Sequence, residues 1–197
     1  SMEVGGKALI EGKLPGRQDV LKVVEFQRSR ALASGVELRL GRKVDAAEIK
    51  SLHPDHIVIA TGASLLRPSF LDDTTAAVEL RSLTVDLLQN PGRRSGVAVL
   101  YDQDHTEATY SAAELLSRIY DKVLIITPKS SIGTKVNYIS LLGILRRLTK
   151  SKIEIISSSI PCGLSDGSLR LENVLNGETT SLADVACLTY STPRSAD

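Results

Sequence analysis

The order of apolar segments in residues 96–157 is the feature that most restricts how this chain can fold. Short apolar runs rich in β-branched residues alternate there with stretches whose apolar residues recur at helical spacing. The predicted strands lie at 96–101, 122–127 and 152–157, and the predicted helices at 106–120 and 138–149. Strands that alternate with helices are typical of a parallel sheet. The sequence therefore predicts an α/β protein with a Rossmann-like, doubly wound parallel sheet.

The same patterns predict elements on both sides of that unit. They are helices at 19–34, 46–51 and 82–89, strands at 36–40, 56–60 and 184–190, and a small antiparallel pair at 159–162 and 169–174 around a turn at Asp166-Gly167. Proline and glycine punctuate residues 63–96, which are expected to form a connector. We therefore expect two nucleotide-binding-like domains, at 1–95 (partial, with the connector) and at 96–197. Exchange of the final strand between them stays open.

Composition excludes several classes of protein. Apolar residues make up 42% of the chain and charged residues 24%, so a sizeable core is expected rather than disorder. A net charge of +1 gives no general attraction to nucleic acid. No apolar run approaches the roughly 18 residues of a membrane-spanning helix, and the sequence shows no secretory signal. We expect a cytoplasmic protein with no nucleic-acid or membrane partner.

Cysteine and histidine usage gives no sign of a metal site. Cys162 and Cys187 are too few for a disulfide framework or a four-cysteine site, and are expected to be small buried hydrophobic residues. His53, His56 and His105 are scattered without the spacing of metal ligands. His56 heads a predicted buried strand and is expected to be structural. No catalytic residue is predicted.

Three motifs in the first 68 residues carry a resemblance to a known family. They are Gly5-Gly6-Lys7 followed by Leu14-Pro15-Gly16-Arg17, the segment 35–41 (Gly-Val-Glu-Leu-Arg-Leu-Gly), and the segment 54–63 (Pro-Asp-His-Ile-Val-Ile-Ala-Thr-Gly-Ala). In this order the motifs resemble the C-terminal part of the trimethylamine dehydrogenase / 2,4-dienoyl-CoA reductase group of flavoproteins, the NADH:flavin oxidoreductases. The resemblance is good over residues 4–68 and looser over 96–192.

The resemblance implies that the chain is a C-terminal piece of an oxidoreductase. Members of that group have an N-terminal TIM barrel with FMN and the substrate site, a 4Fe-4S cluster, and two nucleotide-binding-like domains. The barrel alone takes about 250 residues, and the first nucleotide domain would lack its opening strand and Gly-x-Gly-x-x-Gly turn. The implied partners of the parent are its barrel, an electron-transfer flavoprotein or NAD(P)H, and a second copy in a homo-oligomer.

The resemblance places a candidate ADP or FAD site at two glycine-containing segments, and the candidate cofactor-binding residues are Gly5, Gly6, Lys7, Ala60, Thr61 and Gly62. Glycines reach positive φ and let backbone approach a nucleotide closely. The turn at 60–62 follows a predicted buried strand, and ligands of open α/β sheets bind at the carboxyl ends of strands. An ordinary glycine turn and a strand-ending turn remain the alternatives.

The second domain departs from the dinucleotide pattern at three places. Where glycines would follow the first strand, Asp102, Asp104 and Glu107 supply carboxylates, which would repel a pyrophosphate. Asp104 is expected to cap the helix, with Glu107 completing a capping box. The end of the second strand has Thr-Pro-Lys at 127–129 instead of an acidic residue for ribose, and the second Ala-Thr-Gly position reads Thr-Tyr-Ser at 189–191.

These departures favour a domain that keeps the fold without the nucleotide, as in the amine-dehydrogenase and demethylase branch of the group. The first hypothesis is therefore a non-catalytic nucleotide-binding-like region of an FMN- and iron–sulfur-dependent oxidoreductase. A scaffold or interaction module for oligomerisation or for docking an electron-transfer partner is the second. A self-contained NAD(P)-dependent Rossmann oxidoreductase is the third, and the residues at 102–107 argue against it.

Overall fold

The structure is a computed structural model, and it describes residues 2–71 and 75–196. The helices are α1 (Lys7–Gly12), α2 (Asp19–Ala33), α3 (Ala46–Ser51), α4 (Leu80–Gln89), α5 (Glu107–Ile119) and α6 (Tyr138–Lys150). The strands are β1 (Ala63–Leu65), β2 (Ala77–Glu79), β3 (Arg94–Asp102), β4 (Tyr120–Ile126), β5 (Glu154–Ile156), β6 (Ser159–Ser165), β7 (Ser168–Asn173), β8 (Thr179–Leu182), β9 (Val185–Ser191) and β10 (Arg194–Ala196).

A five-stranded parallel sheet in the order β2-β9-β3-β4-β5 forms the centre of the molecule. The chain runs from β3 through α5 to the neighbouring β4, and from β4 through α6 to β5 at one edge. It later returns to β9 on the other side of β3. The predicted α/β fold with a Rossmann-like parallel sheet is confirmed, and β3 and β9 lie where the strand order reverses.

Both faces of this sheet are covered by other elements of the fold. Successive residues of a strand point to opposite sides, so neighbouring apolar residues of β3 enter different clusters. Ala98 and Leu100 of β3 pack in one hydrophobic cluster with α4, α5 and α6. Val99 and Tyr101 pack in a second cluster with the antiparallel sheet β6-β7-β8. The predicted antiparallel pair is therefore present, with β8 as an additional strand, and it covers the face that lacks helices.

The first part of the chain differs most from its prediction. Helices α2 and α3 form as expected, but the predicted strands at 36–40 and 56–60 do not: both segments have no regular secondary structure and belong to no sheet within the described residues. Val58 is 90% exposed and Ile59 80%. A parallel strand needs neighbouring strands for its backbone hydrogen bonds and layers on its faces, and no described part of the chain supplies them to these segments.

Two short strands between residues 63 and 79, β1 and β2, pair with strands near the C-terminal end of the described chain. β1, next to the 56–62 segment, pairs antiparallel with β10. β2 joins the edge of the central sheet beside β9, so part of the predicted connector packs with the second half of the chain. Neither β1, β2 nor β10 was predicted, because strands of three residues carry too little pattern to recognise.

Candidate functional site

The carboxyl ends of β3 and β9 are the place where a doubly wound sheet of this order would bind a nucleotide. β3 ends at Asp102 and β9 at Ser191, which are register partners in the ladder. A short loop then leads from Asp102 into α5. In a dinucleotide-binding domain the backbone N–H groups of this loop and of the helix N-terminus contact the pyrophosphate.

The backbone amides of this loop are hydrogen-bonded within the protein. The N–H of Gln103 and the N–H of Asp104 both donate to the backbone oxygen of Ser191, at 2.8 and 3.0 Å. The N–H of His105 donates to Oδ1 of Asp102 at 2.9 Å. Three successive amides are thereby engaged inside the fold, and a phosphate placed here would have to displace the end of β9 and the Asp102 carboxylate.

A buried polar cluster lies directly beneath the loop. Asp102, His105 and Tyr110 are each at most 1% exposed. The Tyr110 hydroxyl donates to Oδ2 of Asp102 at 2.7 Å and accepts the N–H of Gly133 at 2.6 Å. Nδ1 of His105 lies 3.6 Å from the same carboxylate oxygen, and its Nε2 lies 3.4 Å from the Thr127 hydroxyl. The cluster ties the ends of β3 and β4 to α5 and to the loop before α6.

Burial raises the pKa values of two groups in this cluster, Asp102 and Tyr110. It raises the pKa of the Asp102 carboxyl above its usual range, while the hydrogen bonds from the His105 N–H and the Tyr110 hydroxyl counteract part of the rise. Burial, followed by the charge of Asp102, raises the pKa of Tyr110. The Asp102 carboxyl therefore takes up a proton more readily than an exposed aspartate does.

Ion pairs from distant parts of the chain occupy the remaining carboxylates of the loop. A nitrogen of the Arg194 guanidinium, on β10, donates to Oδ2 of Asp104 at 2.6 Å, and the ammonium of Lys135 lies 3.9 Å from Oδ1. Arg17, in the turn between α1 and α2, donates to the carboxylate of Glu107 and also lies 3.5 Å from Glu11. The positions where a dinucleotide fold has glycines thus bind the protein's own arginines.

The predicted cap of α5 is wrong. The N-cap residue is Thr106, whose side chain makes no capping hydrogen bond, and Asp104 accepts instead from the Thr106 hydroxyl at 3.1 Å and from Arg194. Glu107 pairs with Arg17 and does not complete a capping box. A charge-assisted bond to an arginine is roughly twice as strong as a neutral one, so both carboxylates turn away from the helix terminus.

Two cavities border this loop. One of about 50 Å³ lies between α1, α4 and the loop and includes Lys7, Asp104 and Arg194 in its lining. An open cleft of about 300 Å³ lies beside it and includes Lys7, Arg17 and Glu107. Ligand pockets typically measure about 300–1,000 Å³, so the first cavity is too small for a nucleotide. The cleft combines cations with Glu11 and Glu107, which already pair with them.

Gly5 and Gly6 have the positive φ angles that were expected, 119° and 48°. A Cβ at Gly5 would lie 2.7 Å from Cγ1 of Val24, so packing against α2 already requires glycine there. A Cβ at Gly6 would meet nothing within 4 Å, and this residue is the N-cap of α1 without a side-chain cap. Lys7 pairs with Glu11 at 3.0 Å. The free space beside the Gly6 backbone is compatible with a nearby nucleotide. A nucleotide-binding role for Gly5, Gly6 and Lys7 stays a prediction.

The second predicted segment is open to solvent. Ala60, Thr61 and Gly62 are exposed just before β1, and Gly62 has a φ of 109°. His56, expected to be a buried structural residue, is exposed as well, since its strand has no neighbours within the described residues. A cofactor role for 60–62 is likewise still a prediction.

Sequence reasoning missed the arginines that close the loop. Arg17 and Glu107 lie 90 residues apart, as do Arg194 and Asp104. No local pattern signals such a pairing. The three carboxylates at glycine-fingerprint spacing were a usable signal, because buried carboxylates need cationic or hydrogen-bonding partners.

The sulfur chemistry of the chain does not fit an iron–sulfur cluster. A 4Fe-4S cluster takes four thiolates, and the chain has two cysteines. Cys187 packs against the hydrophobic core, and burial raises the pKa of its thiol. Cys162 is half-buried on β6, where the guanidinium of Arg170 donates to its sulfur at 3.2 Å. Neither is as deeply buried as expected.

The chain is similar to two curated proteins. No family model matches the chain. A probable N-methylproline demethylase from Rhizobium meliloti is 24% identical over 149 residues, which cover 74% of this chain and 21% of the demethylase. An N,N-dimethylglycine/sarcosine dehydrogenase from Chromohalobacter salexigens is 27% identical over 137 residues, covering 68% of this chain and 20% of the dehydrogenase. The predicted resemblance to the trimethylamine dehydrogenase group is confirmed.

A solved structure has the same fold over the whole chain. The histamine dehydrogenase of Rhizobium sp. 4-9 superposes with a TM-score of 0.86 at 19% identity, and the match covers 100% of this chain and 32% of that enzyme. The chain spans about a fifth of the length of the curated relatives it matches. Those two relatives, a demethylase and a dehydrogenase, are oxidoreductases.

Within the described residues, no helix has both the length and the apolarity to cross a membrane.

Proposed function

We propose that this chain is the C-terminal, nucleotide-binding-like region of an FMN- and iron–sulfur-dependent oxidoreductase that acts on an amine or N-methyl compound, and that the region itself does no catalysis. The likeness to an N-methylproline demethylase and a dimethylglycine/sarcosine dehydrogenase supports the reaction class. FMN and the cluster belong to parts of the parent outside this chain, and so does the barrel with the reacting groups. The parent is a cytoplasmic enzyme in this proposal.

The loop after β3 supplies the observation on which the non-catalytic role depends. Its amides at 103–105 donate to Ser191 and Asp102, and its carboxylates at 104 and 107 pair with arginines. A pyrophosphate needs free N–H donors and the absence of competing negative charge. Residues 75–196 therefore keep the Rossmann-like sheet as a scaffold and do not bind NAD(P)H.

Calorimetric titration of the folded chain with NADH and NADPH tests this role. No heat of binding is expected with either, up to millimolar cofactor. A dissociation constant in the micromolar range for NADPH would overturn the proposal, because ordinary dinucleotide sites are occupied at such concentrations. A cooperative thermal melt of the same sample establishes that the protein titrated is folded.

ADP and FAD belong to a separate arm of the titration, because they probe the candidate site at Gly6 and 60–62. We expect binding of ADP or FAD by the full-length parent, weakened in a Gly6→Ser variant, whose side chain would project from the open backbone. Equal affinity in wild type and variant would remove Gly6 from the site. That result leaves the NADPH prediction intact, so the two claims fail separately.

A scaffold role is the second candidate, and the Arg17–Glu107 ion pair, which joins the first part of the chain to α5, favours it. Such a scaffold would support the oligomer of the parent or the docking of an electron-transfer flavoprotein. Removal of residues 77–197 from the parent is then expected to disturb its assembly or its partner-linked turnover. Unchanged assembly together with unchanged turnover would reject this role.

A further inference from the structure

The segment between β4 and β5 is unusual in its charge. Residues 122–153 contain no Asp or Glu, although charged residues make up 24% of the chain. Its cations are Lys122, Lys129, Lys135, Arg146, Arg147, Lys150 and Lys152. Lys122 and Arg147 pair with Glu154 and Glu114, which lie outside the segment. Arg146 and Lys150 are exposed and form no ion pair within residues 2–71 and 75–196.

Helix α6, inside this segment, presents an apolar and basic stripe to solvent. Ile144 and Leu148 are buried against the sheet and fix which side of the helix faces outward. Ile139, Leu142, Arg146 and Lys150 follow one another at spacings of three or four residues, so they share the opposite side. Ile139 is 82% exposed and Leu142 49%. Tyr138, beside Ile139, is 72% exposed.

We propose that this α6 stripe, defined as Tyr138, Ile139, Leu142, Arg146 and Lys150, docks an acidic protein surface. Contiguous exposed apolar patches rimmed by polar residues mark protein-interaction sites, and tyrosine and arginine are enriched in such sites. The partner it fits has an apolar patch for the first turns of α6 and carboxylates opposite Arg146 and Lys150. The segment 122–153 itself contributes only positive charges, and exposed cations speed the encounter with an acidic partner.

Two other occupants fit this surface less well. A second copy related by a twofold axis would place the same positive surface against itself, without carboxylates from 122–153 to pair the cations. A membrane surface needs a broad apolar face, and here three apolar side chains occupy about the first turn and a half of a helix whose other side is buried in the fold. A protein partner of opposite charge is the occupant that uses both halves of the stripe.

The proposal stands on exposure and charge in α6 and does not rest on the oxidoreductase function proposed above. Its surface also differs from the loop at 102–107 and from the candidate site at Gly6. A small stripe of this kind corresponds to a transient complex rather than a permanent one. Its binding is therefore expected to weaken strongly with salt, because exposed charges are screened over about 10 Å at 0.1 M and about 3 Å at 1 M.

Site-directed photo-crosslinking in the full-length protein tests this docking surface. A photoreactive amino acid replaces Leu142, and the crosslinked species from lysate of the native host is identified by mass spectrometry. We expect an acidic protein whose yield falls about tenfold in the Arg146→Glu/Lys150→Glu variant and at high salt. An Arg146→Gln/Lys150→Gln variant, with an intermediate fall, serves if the charge reversal disturbs folding. The positional control places the same crosslinker at Leu175, a residue outside α6 that is 80% exposed.

A matched charge reversal, Arg28→Glu/Lys50→Glu, changes the net charge equally on exposed parts of α2 and α3 and should leave the yield unchanged. Four results would overturn the proposal. They are crosslinks to a second copy of the chain, binding of phosphatidylserine vesicles that depends on Arg146 and Lys150, a yield at Leu142 no higher than at Leu175, and a captured protein whose yield ignores the charge reversal.

Discussion

Arg194 binds Asp104 across 90 residues of sequence, with 2.6 Å between its guanidinium nitrogen and the carboxylate oxygen. Asp104 is 5% exposed and lies where a dinucleotide fold has its glycine-rich turn. Arg194 belongs to β10, which pairs with β1 of the first part of the chain. The same loop receives Arg17 from between α1 and α2. The loop at the position of a pyrophosphate-binding turn thus connects the first part of the chain to the central sheet.

Removing the arginine should therefore destabilise the fold more than an ordinary surface substitution. Arg194→Ala leaves Asp104 buried with the more distant Lys135 as its cation, and we expect a loss of about 1–3 kcal/mol in the free energy of unfolding. Asp104→Asn should cost less, and the double variant should cost less than the sum of the two single changes. Urea unfolding of the four proteins measures this coupling. Arg28→Ala, on exposed α2, is the control and should stay within about 0.5 kcal/mol.

Asp102 makes the stability depend on pH in a definite direction. Its pKa is raised by burial, so the folded state holds a proton more tightly than the unfolded state. The contribution of this group is fully present below its unfolded pKa of about 3.9 and is lost as pH rises through the folded value. We expect the difference in stability between Asp102→Asn and wild type to shift in favour of the variant as pH rises.

Thermal melts of both proteins over a pH series from about 4 to 8 measure that difference, and taking the difference cancels the other titrating groups. Ser29→Ala, a small change on the exposed surface of α2 away from the cluster, should give a pH-independent difference. A difference between Asp102→Asn and wild type that does not vary with pH would show that the carboxylate stays ionised throughout, despite its burial.

The sequence predicted the central sheet because its strands and helices each carry a periodic pattern that needs no distant partner to recognise. Val99 and Leu100, for example, are apolar on successive positions, as a strand buried on both faces requires. The segment at 56–60 has the same composition, yet it pairs with no strand within the described residues. Strand formation depends on neighbours, and a local pattern does not contain them. The Arg17–Glu107 pair escaped prediction for the same reason.

Gly5 and Gly35 distinguish two reasons why a position requires glycine, namely a positive φ and a lack of room for a Cβ atom. Both have positive φ, 119° and 77°, but a Cβ at Gly5 would lie 2.7 Å from Val24 and 2.8 Å from Leu9, whereas a Cβ at Gly35 would meet nothing within 4 Å. Gly35→Ala should cost about 1 kcal/mol for the backbone alone. Gly5→Ala should cost about 1–3 kcal/mol more because it overpacks the contact with α2. Chemical unfolding of both variants checks this, and equal losses would mean that α2 moves aside freely.

The exposed segment at 56–60 should make the isolated chain self-associate. Val58 and Ile59 are 90% and 80% exposed in a segment that pairs with no strand among residues 2–71 and 75–196. An exposed segment of strand-forming residues without a strand partner in its own chain is a template for pairing with another chain. We expect sedimentation velocity to show concentration-dependent association that Val58→Lys/Ile59→Lys reduces without lowering the unfolding temperature, because these side chains bury little surface. Leu175→Lys, at a similarly exposed apolar position in the turn between β7 and β8, should leave the association unchanged. If all three proteins associate equally, the contact lies elsewhere on the molecule.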